Sequence, residues 1–102
     1  MKLTPGSRWR SAVCTTEAVL VKPPGEGGEL QCGGAAMIPH GTETPAGLSL
    51  NPDRAGGSLM GKRYADETSG MEVLCTKAGD GSLALDGRAL TIREAKPLPS
   101  SD

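Results

Sequence analysis

The segment Ser82-Leu83-Ala84-Leu85-Asp86-Gly87-Arg88-Ala89-Leu90-Thr91-Ile92 constrains the fold more tightly than any other part of the chain. Two apolar runs flank an Asp-Gly pair. A two-residue type I′ turn needs positive φ at both central positions, which Asp-Gly tolerates and most pairs do not. That chemistry predicts an antiparallel hairpin, 82–85 against 88–92. Nothing elsewhere opposes strand pairing, because no window sustains a 3.6-residue apolar period.

Other turn signals divide the rest of the chain. Alternation over Trp9–Thr15 and the apolar run Ala18–Val21 predict two strands that pair, with residues 14–21 mainly extended. Pro23-Pro24-Gly25 stops that ladder, since neither proline donates a hydrogen bond. Gly27-Gly28 turns the chain back into Glu29–Cys32, and Gly33-Gly34 is a second two-residue turn. Residues 39–61, with Pro39, Pro45 and Pro52 among glycines, predict a long irregular loop. Lys62–Asp66 and Met71–Lys77 then flank a turn at 67–70. The expectation is an all-β chain: one small domain over residues 1–96, of about seven short antiparallel strands and hairpins. Residues 97–102, with Leu98 between Pro97 and Pro99, predict an extended tail.

Composition limits the function classes. With 36% apolar residues, two aromatics and no Phe in 102 residues, the core must come from Val, Leu, Ile, Met and Ala. A domain of this size buries less than about 70% of its unfolded surface, so stability leans on a metal, a dimer interface or a partner protein. This favours an accessory domain or subunit over a free-standing enzyme. A net charge of −1 argues against an electrostatic grip on nucleic acid or an anionic membrane. The densest basic spots, Arg8-Trp9-Arg10 and Lys62-Arg63-Tyr64, read as aromatics anchoring strand ends with their charges in solvent. The absence of a signal-length apolar run near Met1, and of about 18 consecutive apolar residues anywhere, gives a cytoplasmic expectation. There, three cysteines suit metal ligation, reactivity or burial better than a disulfide framework.

The chain also repeats itself. Val13-Cys14-Thr15 matches Leu74-Cys75-Thr76, and the segment Gly28–Met37 matches Gly81–Leu90, with glycine, leucine, glycine and alanine in place. This alignment pairs Cys14 with Cys75 and Cys32 with Leu85. If the copies pack about a pseudo-twofold axis, Cys14 and Cys75 approach one another.

Residues 14–37 resemble the desulforedoxin family and the related N-terminal domain of desulfoferrodoxin, whose pattern runs C-x-x-C-G, an apolar strand, then G-G-x-L-x-C-C-G-x-x-M. Cys14 stands at the first family cysteine. Gly27, Gly28 and Leu30 lie at or within a residue of the turn and strand signature, Cys32 is the first of the double cysteine, and Gly34 and Met37 take the last two marks. Glu17 and Gly33 replace the other two iron ligands. The resemblance chiefly implies a β-knuckle fold, with two family chains related as a dimer.

Chemistry in this chain must come from Cys14, Cys32, Cys75 and His40. Three thiolates and one imidazole make a tetrahedral zinc set, and iron is the metal of the resembled family. No C-x-x-C clamps two ligands locally, and Cys75 alternates with Met71 and Val73 on a core-facing strand, which equally fits plain burial. A nucleophilic Cys75 or Cys32 with His40 as base is the corresponding enzyme reading, and no nucleophile elbow, P-loop or dinucleotide fingerprint accompanies it. Leu48, Leu50, Leu59 and Met60 in the long loop need another surface to cover them. The functional expectation is therefore a non-catalytic accessory or subunit domain bound to a protein partner or homodimer mate. Its alternative is a zinc or iron metalloprotein.

Overall fold

The computed structural model describes residues 3–25 and 28–93. Among them, β1 (Arg8–Arg10), β2 (Glu17–Lys22), β3 (Leu30–Cys32), β4 (Ala35–Ala36) and β5 (Ile38–Pro39) precede a 3-10 turn at Pro52–Arg54. Then come β6 (Arg63–Asp66), β7 (Met71–Lys77), β8 (Leu83–Leu85), β9 (Arg88–Ala89) and β10 (Thr91–Arg93). The protein is all-β, as the turn chemistry predicts, and no helix among the described residues is long and apolar enough to cross a membrane.

The ten strands form two antiparallel sheets, in the orders β10-β6-β7-β2-β1-β5 and β4-β3-β8-β9. Both orders are palindromes: exchanging β1 to β5 for β6 to β10 reproduces each sheet read backwards. The registers obey the same exchange. Ala18↔Cys75 and Leu20↔Val73 flank Val19↔Leu74, while Leu30↔Leu85 and Cys32↔Leu83 flank Gln31↔Ala84. A pseudo-twofold axis therefore runs through both sheets between these two central pairs. The protein is a duplicated five-strand unit whose halves pair strand to strand.

The repeat read over Gly28–Met37 and Gly81–Leu90 is present in the fold. Met37 N–H donates to Leu30 O at 2.8 Å, and Leu90 N–H to Leu83 O at 3.0 Å. Asp86, at φ 49°, and Gly87, at φ 81°, form one two-residue turn; Gly33 and Gly34, at 67° and 87°, form its counterpart. Pairing Cys14 with Cys75 is the wrong register, however. Leu20 occupies the place of Cys75: Gly6 N–H donates to Leu20 O and Leu20 N–H to Ser7 O, as Gly61 N–H donates to Cys75 O and Cys75 N–H to Lys62 O. The counterpart of Cys14 is Ser69. A period-two burial pattern fixes strand register, and a three-residue match with two identities does not outweigh it.

The same exchange relates the core. Its buried cluster contains Trp9 with Tyr64, Ala18 with Val73, Leu20 with Cys75, Leu30 with Leu83, Cys32 with Leu85, Met37 with Leu90, and Met71, whose counterpart is the buried Thr16. The two aromatic rings, Trp9 and Tyr64, lie inside. Met37 and Leu90 mark corners at which the chain leaves one sheet and enters the other, so the apolar run 88–92 is two strands rather than one, and residues 35–39 likewise split into β4 and β5.

Residues 14–16 are not strand. Ser11 Oγ accepts from both Val13 N–H and Cys14 N–H at 3.1 Å, so a side chain takes donors that a ladder would use. The long loop is the connection between the halves, and it lies against the end of the smaller sheet, with Asn51 N–H on Gly33 O and Ser82 N–H on Arg54 O. Residues 97–102, including Leu98, lie outside the described residues.

Because β2 and β7 join the halves, damage to one should be felt in both. Leu20→Ala is expected to cost about 2–5 kcal/mol. It should keep a single urea transition and lower hydrogen-exchange protection in β7 as well as β2. Loss of protection confined to the first half would show the halves to be independent.

Candidate functional site, a thiol pair where the halves differ

A duplicated fold contains its own comparison, since positions that serve only the fold have matching counterparts. One corner departs from this. Ser11, Cys14, Thr16 and Cys32 stand where the second half has Asp66, Ser69, Met71 and Leu85, so a polar, sulfur-containing cluster replaces apolar packing at two of four places. Cys14 lies on the bend between β1 and β2, and Cys32 ends β3 just before the Gly33 turn. Their sulfurs are 3.8 Å apart.

The surroundings treat the two sulfurs differently. Cys14 is partly exposed and Cys32 fully buried. Around Cys14, the sulfur lies 3.3 Å from Thr16 Oγ1, donating to it as a thiol and accepting from it as a thiolate, and Gly81 N–H donates to the sulfur at 3.4 Å. Burial opposes its ionisation, but hydrogen bonds from Ser11, Thr16 and Gly81 outweigh that and lower its pKa to about 7. Burial, with the neighbouring Cys14 charge, pushes Cys32 up to about 12. At neutral pH one sulfur is substantially thiolate and the other is a thiol able to donate to it.

Two glycines wall the corner. A Cβ at Gly79 would collide with the side chain and backbone nitrogen of Thr16, and one at Gly81 would lie 2.9 Å from Cys32 Sγ and from Gly33 N. Gly81 also supplies the N–H on Cys14, so the backbone approaches closely only because these positions lack side chains.

The other proposed ligands stand elsewhere. His40 Nε2 lies 3.3 Å from Glu17 Oε1. Its counterpart is Arg93, whose guanidinium lies 2.9 Å from Glu72 Oε1, so His40 occupies the place of a cross-strand ion-pair partner rather than that of a base beside a thiol. Cys75 is in the core and donates to Lys77 O at 3.2 Å; burial raises its pKa. Among the described residues no group of three or more His, Cys, Asp or Glu side chains stands together to hold a metal ion. The zinc or iron set of Cys14, Cys32, Cys75 and His40 is therefore not assembled among the described residues: Cys14 and Cys32 are joined and His40 faces Glu17, while Cys75 lies near enough to feel the charge of Cys14 but spends its thiol on the Lys77 carbonyl. Ser11, Thr16, Gly79 and Gly81 are the site residues missed in the sequence. Ser11, three residues before Cys14, carried the only signal, that of a hydroxyl capping backbone N–H groups.

The equivalent corner of the second half is an ion pair. Arg88 Nη2 lies 2.8 Å from Asp66 Oδ2, which also accepts from the Ser69 hydroxyl at 2.7 Å. The Arg88 hydrogen bond, against burial and with help from Ser69, lowers the Asp66 pKa to about 2.

Comparison of the chain with protein-family models, with curated proteins and with solved structures finds no match.

The Asp66 carboxyl has a folded pKa below its unfolded value of 3.8, so its contribution to stability is full above that value and is lost as pH falls towards about 2. The stability difference between wild type and Arg88→Ala should accordingly shrink between pH 5 and pH 2 in urea titrations. A difference independent of pH would show that the pair does not couple to folding.

Proposed function

We propose that the chain is a non-catalytic accessory or subunit domain that binds a protein partner of different sequence through the apolar turn at Leu59 and Met60. The observation that carries this reading is another departure from the internal symmetry. Thr4 and Pro5 occupy this turn in the first half, where Ser7 N–H donates to Thr4 O; Leu59 and Met60 occupy it in the second, where Lys62 N–H donates to Leu59 O. Leu59 is 54% exposed and Met60 69%. The turn is held in place: Leu59 N–H donates to Tyr64 Oη at 2.9 Å and Gly61 N–H to Cys75 O at 2.8 Å. With the backbone already anchored, covering these two adjacent apolar side chains costs only their own rotamer freedom and no backbone ordering, which suits a contact anchor.

A partner of different sequence is favoured over a homodimer mate because the strand pairing by which two such units associate is already made within one chain, between β2 and β7 and between β3 and β8. The resemblance of residues 14–37 to the desulforedoxin pattern belongs to the same proposal, as a scaffold of that kind kept without its iron.

Leu59→Ser with Met60→Ser tests the reading, since exposed positions should tolerate it within about 0.5 kcal/mol. Affinity purification from the native cell should yield a stoichiometric partner with wild type, and at least about tenfold less with the double variant, given anchor losses of 1.4 kcal/mol or more. A partner retained in full by the variant, or wild type that light scattering shows to be a homodimer without another protein, would overturn it.

A further inference from the structure

We propose that Cys14 and Cys32 are a peroxide-oxidisable dithiol that closes into a reversible disulfide, with Cys14 the attacking sulfur and Cys32 the resolving one. Four features of the corner carry this, none of which the partner-binding reading uses. The sulfurs are 3.8 Å apart, so the resolving thiol meets whatever forms on Cys14 at once. Cys14 is the partly exposed member and sits on a bend, its N–H held by Ser11 Oγ rather than by a strand ladder. Cys14 lies outside the strands, so closing the sulfurs to the roughly 2.05 Å of a disulfide breaks no ladder hydrogen bond made by Cys14. Cys32 is fully buried, with Cys14 Sγ beside it. The cluster also exists in one half only: Ser69 and Leu85, which take the places of the two cysteines, have no redox chemistry and serve the fold equally well.

The electrostatics agree with these roles. The group facing the oxidant is the one whose hydrogen bonds from Ser11, Thr16 and Gly81 favour the thiolate, and the thiolate is the nucleophile. Cys32, kept protonated by burial, donates to it until the reaction begins.

The chemistry balances with a peroxide as oxidant and a small thiol as reductant. The Cys14 thiolate attacks one peroxide oxygen, the O–O bond breaks, and Cys14 becomes a sulfenic acid while the other oxygen leaves as hydroxide and takes up a proton to give water. Cys32 then attacks the Cys14 sulfur, forming the S–S bond and expelling a second water that carries the Cys32 proton. Two equivalents of a small thiol return both cysteines to thiols and leave as their own disulfide. With Cys32 already in place, closure outruns further oxidation to the sulfinic acid. Cys75 stands outside the cycle, bonded to the Lys77 carbonyl in the core.

The test uses purified, reduced full-length chain and hydrogen peroxide near stoichiometry. Alkylation under denaturing conditions followed by mass spectrometry should show the chain two hydrogens lighter, one alkylatable thiol at Cys75, and a Cys14–Cys32 peptide that dithiothreitol removes. The rate should rise about tenfold per pH unit at acid pH and level off above about 7, following Cys14 ionisation. Cys32→Ser and Cys32→Ala should accumulate sulfenic acid on Cys14, trapped by dimedone, whereas Cys14→Ser should leave Cys32 reduced. Three alkylatable thiols in oxidised wild type, a disulfide through Cys75, or equal oxidation of Cys32 in Cys14→Ser would overturn the proposal. So would one equivalent of zinc held by both thiols of the reduced protein through dialysis.

Discussion

The pairing of β2 with β7 is the constraint on which the rest of the structure depends. These are the central strands of the larger sheet, and they carry Leu20, Val73 and Cys75 into the core while joining one half of the chain to the other. Register shifts fall on both sides of the axis, between Glu17 and Ala18 and between Leu20 and Lys22, so the ladder bends symmetrically and places Glu17 opposite Lys77 and Lys22 opposite Glu72. Bulges raise local twist, which lets each half curl so that its β3 or β8 reaches the smaller sheet. Neither half has enough apolar residues for a core of its own; joined, they share one.

Symmetry of fold and asymmetry of chemistry divide the residues cleanly. Positions under packing or backbone constraint match: Leu30 with Leu83, Met37 with Leu90, Trp9 with Tyr64, and Gly6 with Gly61, both at φ 82°. Positions that differ include an exposed one, His40 against Arg93, and buried ones in the thiol corner, Thr16 against Met71 and Cys32 against Leu85. The ion pair and the thiol pair solve the same local problem, that of holding the bend after β1 or β6 against the end of the smaller sheet. Only the thiol pair brings with it a reactive group.

The outer strands of the larger sheet show how an open two-sheet fold guards its edges. β5 has two residues and includes Pro39, which offers no donor to a neighbouring chain. β10 carries Arg93, tied to Glu72, at its end. Short length, proline and edge charge each discourage strand addition.

The sequence by itself determined the fold class and its turns. Asp86-Gly87 and Gly33-Gly34 specify their backbone dihedrals whatever surrounds them, alternation puts Met71, Val73 and Cys75 on one face, and the duplication over Gly28–Met37 and Gly81–Leu90 is written in the residues. Local chemistry suffices there because turn geometry and side-chain period are local properties. Only the tertiary structure decided where Cys14 belongs. The string Val-Cys-Thr pointed to Cys75, but burial of Leu20 opposite Val73 set another register, made Ser69 the counterpart of Cys14, and brought Cys14 to Cys32 instead. It also decided that His40 faces Glu17 and that Gly81 presents its N–H to a sulfur. Such contacts join segments far apart in the chain, and they follow from sheet register and core packing rather than from any short run of residues.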